Sequence, residues 1–353
     1  MKFVTIDSDT FRVFAERSPY KSFMQTPEIA KYRESKGWTT YYLGVESSGE
    51  IKAASMLVAK PTFLGKSTFL APGGPLLDFE DKALANFFLK HLKSYVKSHN
   101  GYVLHIDPYY ELIERGRDGD KIAGGFDHTD VRKTLASQGF KPCPQSGQPK
   151  YLFTLDLTGQ TADQVFNDMK RNTRGHIRKA EKQGVIIREL KRDELNIFKN
   201  ITESTSARRN FEDKPLSYYE KMYDLFHKKG EVKFLLAESS LVPLSVAMFM
   251  LYGSEVIYLF SGSDEKYMKE YNAQYLIQWH MIKYAIKHNF KTYNFYGING
   301  LPDKSNKDYG IYDFKKGFTS DKTGRVVELL GAHEAVINPF FYHLHQFLAK
   351  LKP

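Results

Sequence analysis

The chain has 353 residues, room for about two domains of ordinary size. Hydrophobic residues make up 42% and charged residues 26%, with 26 Phe and 23 Tyr, which gives each domain a core and excludes a disordered chain. The formal net charge of +10 suits a polyanion, whether nucleic acid, a phosphorylated substrate or an anionic lipid surface, without choosing among them.

The first ten residues include Asp7 and Asp9 and lack the apolar stretch of a signal peptide, so none is expected. Tyr41–Val58 has two apolar runs around the turn signal Glu46-Ser47-Ser48-Gly49, the pattern of a β-hairpin. A strand over Ser67–Leu70, a helix over Lys82–His99 and a buried strand over Tyr102–Ile106 follow. Gly73-Gly74, between Pro72 and Pro75, reads as a turn. The strand closes on Asp107-Pro108; this carboxylate either caps a turn or stands at the carboxyl edge of a sheet, where open α/β sheets hold their sites. Cys143 is the only cysteine, which rules out an intramolecular disulfide, and no zinc-cysteine site is expected. Nothing in its flanking prolines, Pro142 and Pro144, activates the thiol. No histidine cluster has metal-ligand spacing, so no metal site is expected.

A helical region spans about Thr161 to Lys229. In its first helix, Phe166, Met169, Ile177 and Ala180 share one face, while Arg171, Arg174, Arg178 and Lys182 share the opposite one. From Lys170 to Lys182 the only acid is Glu181. The stripe reads either as a solvated face or as a surface for RNA phosphates, which confers affinity and position rather than sequence choice.

From Lys233 the chain repeats itself. Lys233–Leu251 is a second hairpin around Glu238-Ser239-Ser240, followed by a strand over Val256–Phe260, a helix over Tyr271–His288 and a strand over Thr292–Tyr296. Both long helices close on His-Asn, with a tyrosine four residues before the histidine. The offsets, 238 − 46 = 192 and 288 − 99 = 189, are nearly constant. The expected fold class is α/β (α+β): two domains from an internal duplication, with mixed antiparallel and parallel sheets flanked by helices, whose element order resembles that of GNAT-like acyltransferases. The expected domains are 1–148 with about 327–353, and 149–326 with a basic helix over 163–184. A C-terminal amphipathic helix, Pro339–Leu351, is expected to pack back on the first domain, with Lys350 and Lys352 near its end.

No G-x-S-x-G, P-loop, H-E-x-x-H or strand-linked G-x-G-x-x-G is present. Five segments, in order along the chain, resemble the Fem family of tRNA-dependent peptidoglycan aminoacyltransferases. They are Lys31–Trp38 (KYRESKGW), Tyr102–Pro108 (YVLHIDP), Arg208–Tyr219, Ile257–Ser263 (IYLFSGS) and Phe314–Phe318 (FKKGF). The resemblance implies the short form without a helical arm, since Tyr219 to Lys233 leaves no room for one. By resemblance, Lys36 and Lys214 hold the diphosphate of a muropeptide, supported by Tyr218 and Tyr102. Asp107 sits by the accepting amine, and Phe314 and Lys315 face the reacting ester, with Lys315 stabilising its developing charge. Lys214 stands where the family often has arginine, and Phe260, in the same substrate site, where close relatives have tyrosine. The spacing before Trp38 is one residue off, so Arg33 or Lys31 could take the place of Lys36.

The implied reaction adds Ala, Ser or Gly from aminoacyl-tRNA to the stem-peptide lysine of UDP-MurNAc-pentapeptide or lipid II. Aminoacyl-tRNA is the co-substrate, and no cofactor is expected because the ester is already activated. The expectation is a cytoplasmic monomer, in peripheral contact with the inner membrane surface if its acceptor is lipid-linked. The alternatives are a related tRNA-dependent transferase with another acceptor and a non-catalytic RNA-binding protein.

Overall fold

The computed structural model describes residues 1–144 and 147–350; Leu351 and Lys352 of the expected C-terminal helix lie outside the described residues. The fold divides into two compact units. The first comprises Met1–Glu114, Gly124–Lys150 and Glu328–Pro353, and the second Arg115–Ala123 and Tyr151–Val327. The excursion Arg115–Ala123 leaves no mark in the sequence. It is fixed in the second unit by Arg117, which donates to the Thr319 carbonyl at 2.8 Å, and by Tyr312, whose hydroxyl donates to the Arg117 carbonyl at 2.8 Å.

The first unit is built on a seven-stranded sheet in the order Lys2–Thr5, Thr39–Ser47, Glu50–Pro61, Ser67–Gly73, Gly101–Pro108, His333–Val336, Lys141–Pro142. The helix Lys82–Ser98 joins the parallel pair of this sheet, Ser67–Gly73 with Gly101–Pro108. It starts where Asp81 accepts from the Leu84 amide at 3.0 Å. It buries Leu84, Phe88, Leu92 and Val96 at helical spacing. Asn100, in the left-handed region at φ 59, ends it.

In the second unit Val232–Ser239, Val242–Tyr252, Glu255–Ser263 and Thr292–Ile298 repeat that order, with Ala273–Lys287 as the crossover helix. The duplication extends to irregular detail. Both hairpins turn on two left-handed residues, Ser48-Gly49 and Ser240-Leu241, the geometry that matches strand twist. Both carry a bulge at the equivalent step, Val45/Glu46 and Ala237/Glu238. Both crossover helices end with a histidine against the preceding tyrosine, at 3.9 Å for Tyr95–His99 and 4.1 Å for Tyr284–His288.

The copies differ in one respect that matters. The first unit's parallel strands pair along their whole length, from Ser67 and Gly101 to Gly73 and Pro108. The second unit's pair only at Glu255–Thr292, Val256–Tyr293 and Ile257–Asn294, and then part.

The single basic helix expected over 163–184 is two helices, Ala162–Asp168 and Arg171–Lys182. Met169 and Lys170 between them are extended, at ψ 151 and 142. Tertiary contacts override local propensity: the Lys170 amide donates to the Gly317 carbonyl at 2.9 Å, and its ammonium pairs with Asp313 at 2.6 Å. The helix Pro339–Lys350 packs on the first unit, with Phe341 and His345 against Phe63 at 6.1 and 5.9 Å. No helix among the described residues is long and apolar enough to cross a membrane.

Candidate active site

Lys315 lies on the short helix Tyr309–Lys316 and is 5% exposed. Its ammonium donates to the Gly297 carbonyl at 2.5 Å, and no carboxylate pairs with it among the described residues. Burial lowers its pKa to about 7. The neighbouring Lys316 is instead an ordinary structural cation bound to Asp118. Gly297 lies just past the point where the parallel strands part. There the chain is bent, with Tyr296 at φ 64 and a register break between Asn294 and Gly297. The Lys315 ammonium is therefore tied to the strand Thr292–Ile298 just past that opening. Phe260 lies past Ile257, the last residue of the other strand to pair in parallel.

Phe314 is half-buried against Tyr275 and Phe318, with ring centroids at 4.9 and 5.3 Å. Gly317 allows the helix to meet the basic helix closely, since a Cβ there would lie 2.3 Å from the Thr173 hydroxyl. This accounts physically for the glycine in FKKGF.

Lys214 is exposed on the loop between the helices Leu195–Arg209 and Leu216–Phe226. The preceding residue fixes that loop. The buried Asp213 carboxylate accepts from the Tyr219 hydroxyl at 2.6 Å, the Thr202 hydroxyl at 2.8 Å and the Lys199 ammonium at 2.9 Å. Burial alone would raise its pKa, but these hydrogen bonds outweigh burial and hold it below the usual range. Tyr218 meets Phe260 edge-on at 5.8 Å, so these two expected substrate residues are brought together.

In the first unit Lys36 is exposed beyond the helix Pro27–Glu34, with its ammonium 5.9 Å from the Tyr32 ring. Arg33 instead lies over Trp38 at 4.7 Å, with Lys60 5.7 Å from the same ring. Tyr102 is buried, its hydroxyl 2.6 Å from that of Thr68. Asp107 is half-buried at the other end of the same strand. Its carboxylate accepts from the Gly147 amide at 2.8 Å, and its carbonyl from the Gln148 side chain at 2.6 Å. Lys36 and Tyr102 thus lie toward one end of this sheet and Asp107 at the other, with about 17 Å of strand between the latter two.

On the helix Arg171–Lys182, Arg171, Arg178 and Lys182 are exposed. Arg174 is half-buried, one guanidinium nitrogen donating to the carbonyls of Asn167 and Met169 at 2.7 and 2.5 Å. The first turn has no acid, and Arg171 and Arg174 there oppose the helix dipole, whereas Lys182 in the last turn complements it. Sequence reasoning missed Asp213 and the Gly297 carbonyl. Nothing in the Asp-Lys-Pro run says that the Asp213 carboxylate rather than that of Glu212 is held. A backbone acceptor has no sequence signal.

The FemAB family model matches residues 6–241 and 237–350. Aminoacyltransferase FemA of Staphylococcus aureus strains N315 and MW2 is 27% identical, covering 100% of this chain and 99% of the relative. Each alignment runs to 429 positions against 353 residues here, so these relatives carry insertions that this chain lacks. The crystal structure of FemX superposes with a TM-score of 0.82 at 22% identity, over 98% of this chain and 99% of that one. A tandem GNAT protein from the clavulanic acid biosynthesis pathway gives 0.54 at 13% identity, over 96% and 99%.

Proposed function

The chain belongs to the FemAB family, and on that premise we propose that it is an aminoacyltransferase that moves an amino acid from tRNA onto a peptidoglycan precursor. Lys315 carries this reading: a buried lysine with no carboxylate partner among the described residues, bound to one carbonyl beside strands that part. The amine of the acceptor attacks the ester carbonyl carbon, the carbonyl oxygen becomes an oxyanion, and the bond to the ribose oxygen breaks. An amide forms, and the proton lost by the amine ends on the ribose hydroxyl. Protonated Lys315 supplies the cation for the oxyanion, and positioning supplies the rest. The ester is already activated, so the reaction needs no cofactor.

Lys214, on its pinned loop, is the diphosphate cation of the second unit, with Tyr218 and Phe260 beside it. In the first unit Lys36 serves phosphate and Asp107 the accepting amine. Their placement toward opposite ends of one sheet suits an acceptor as long as a muropeptide, with stem-peptide lysine as the accepting group and Ala, Ser or Gly as the donated residue. A lipid-linked acceptor would bring the protein to a membrane surface.

The exposed Arg171, Arg178 and Lys182 are the proposed contacts to tRNA phosphates. Replacing all three by glutamine should flatten the slope of log affinity against log salt by about 2–3, close to one per phosphate contact removed. An unchanged slope would take this helix out of the RNA surface. Titrating the protein with UDP-MurNAc-pentapeptide tests the acceptor: saturable micromolar binding is expected, and binding of tRNA without any muropeptide binding would favour a non-catalytic RNA-binding protein.

A further inference from the structure

His105, Cys143 and Glu334 come from three separate parts of the chain and meet in the first unit. Glu334 lies directly across from His105 on the neighbouring strand. The Cys143 amide donates to the Ala332 carbonyl at 2.9 Å, which brings the thiol alongside. The Cys143 Sγ is 3.8 Å and a Glu334 carboxylate oxygen 3.6 Å from the same nitrogen, His105 Nδ1. All three ligand atoms lie within 4.8 Å of one another.

We propose that these residues form a site for a divalent zinc-like cation. Sulfur, nitrogen and oxygen bound tetrahedrally to one zinc at ~2.0–2.3 Å stand about 3.3–3.7 Å apart. The two separations from His105 Nδ1 are within a few tenths of an ångström of a formed site, and the thiol and carboxylate, within 4.8 Å of each other, close the third edge by a side-chain rotation. A thiolate and a carboxylate cancel the charge of the ion, and one thiolate with one imidazole selects zinc over magnesium or calcium. A second shell is present: the Tyr342 hydroxyl donates to the other oxygen of Glu334 and orients the carboxylate. His105 and Glu334 side chains keep 14% and 19% of their surface exposed, which leaves an entry path and room for a water as fourth ligand. A serine-like catalytic triad does not fit, because thiol and carboxylate approach one ring nitrogen rather than two.

The ion would act as a clip, not as a reactant. It would tie the strand carrying His105 and Asp107 to the segment whose Gly147 and Gln148 hold Asp107. The test is titration of chelator-treated, full-length protein with Co²⁺ and Zn²⁺. One equivalent of Co²⁺ should give a thiolate-to-cobalt charge-transfer band and the intense visible bands of four-coordinate cobalt. Zn²⁺ should displace it and raise the melting temperature by a few degrees. Cys143→Ser should remove the charge-transfer band, and Glu334→Gln should weaken Zn²⁺ binding at least tenfold, both without changing the melting temperature of the metal-free protein by a comparable amount. Absence of the band at equimolar Co²⁺, or Zn²⁺ binding that is the same in wild type and Cys143→Ser, would overturn the proposal. Wild-type spectra decide it even if a variant fails to fold.

Discussion

Lys315→Met should lower transfer by at least about 100-fold, in the range of a lost oxyanion donor, and at the same time make the protein more stable at pH 7. Methionine matches the lysine stem in length and removes the charge. In the unfolded chain Lys315 keeps its proton up to the ordinary lysine range near 10.5, whereas in the fold it loses it near 7. Folding therefore expels a proton between those values. The lysine's contribution to stability climbs with pH from about 7 to about 10, and its penalty is fully present below 7. At pH 7 that penalty is on the order of 4 kcal/mol, against about 1 kcal/mol for the hydrogen bond to Gly297. Thermal melts across this pH range should show the wild type gaining on the variant as pH rises. If Lys315 acts as a cation, kcat/KM of the wild type falls as pH rises through about 7, since this ratio reports the free enzyme. A rise through that range would make it a base instead, and a variant with full rate would remove it from the mechanism.

Asp213→Ala should weaken UDP-MurNAc-pentapeptide binding at least tenfold and cost about 3–5 kcal/mol of stability, although Asp213 itself need not touch the ligand. The carboxylate gathers Lys199, Thr202 and Tyr219 in a buried setting, and its loss leaves a largely buried ammonium without its main partner. The loop that presents Lys214 then loses its anchor. Lys214→Ala separates the two effects: it should weaken binding comparably while leaving the melting temperature within about a degree or two, because Lys214 is exposed. Isothermal titration beside thermal melts reads both. Unchanged affinity in Asp213→Ala would mean that the loop does not carry the diphosphate site.

The duplication was legible in the sequence because each repeat is written in local signals. Hairpin turns, helix-ending His-Asn pairs and buried strands all depend on residues near one another, and the structure shares even the bulges and left-handed turns. The family resemblance was legible through five short segments. What escaped the sequence depends on distant partners. The break at Met169 and Lys170 has no proline or glycine to announce it and follows from contacts with Gly317 and Asp313. Arg174 belongs to the basic stripe by spacing, yet it is partly taken up by two carbonyls. Cys143 looks inert between two prolines, and only the sheet brings His105 and Glu334 beside it. The motif YVLHIDP puts Asp107 at the end of a strand, as the structure has it, and strand length separates it from Tyr102 at the start.

Transfer of an aminoacyl group from tRNA to a muropeptide can be read in one assay. Purified protein should be incubated with tRNA charged with radiolabelled Ala, Ser or Gly and with UDP-MurNAc-pentapeptide or lipid II as acceptor. Label should enter the acceptor with at least one of these amino acids, and be lost on RNase treatment and in Lys315→Met. Protein that binds both charged tRNA and acceptor yet moves no label in any combination would contradict the proposed transfer.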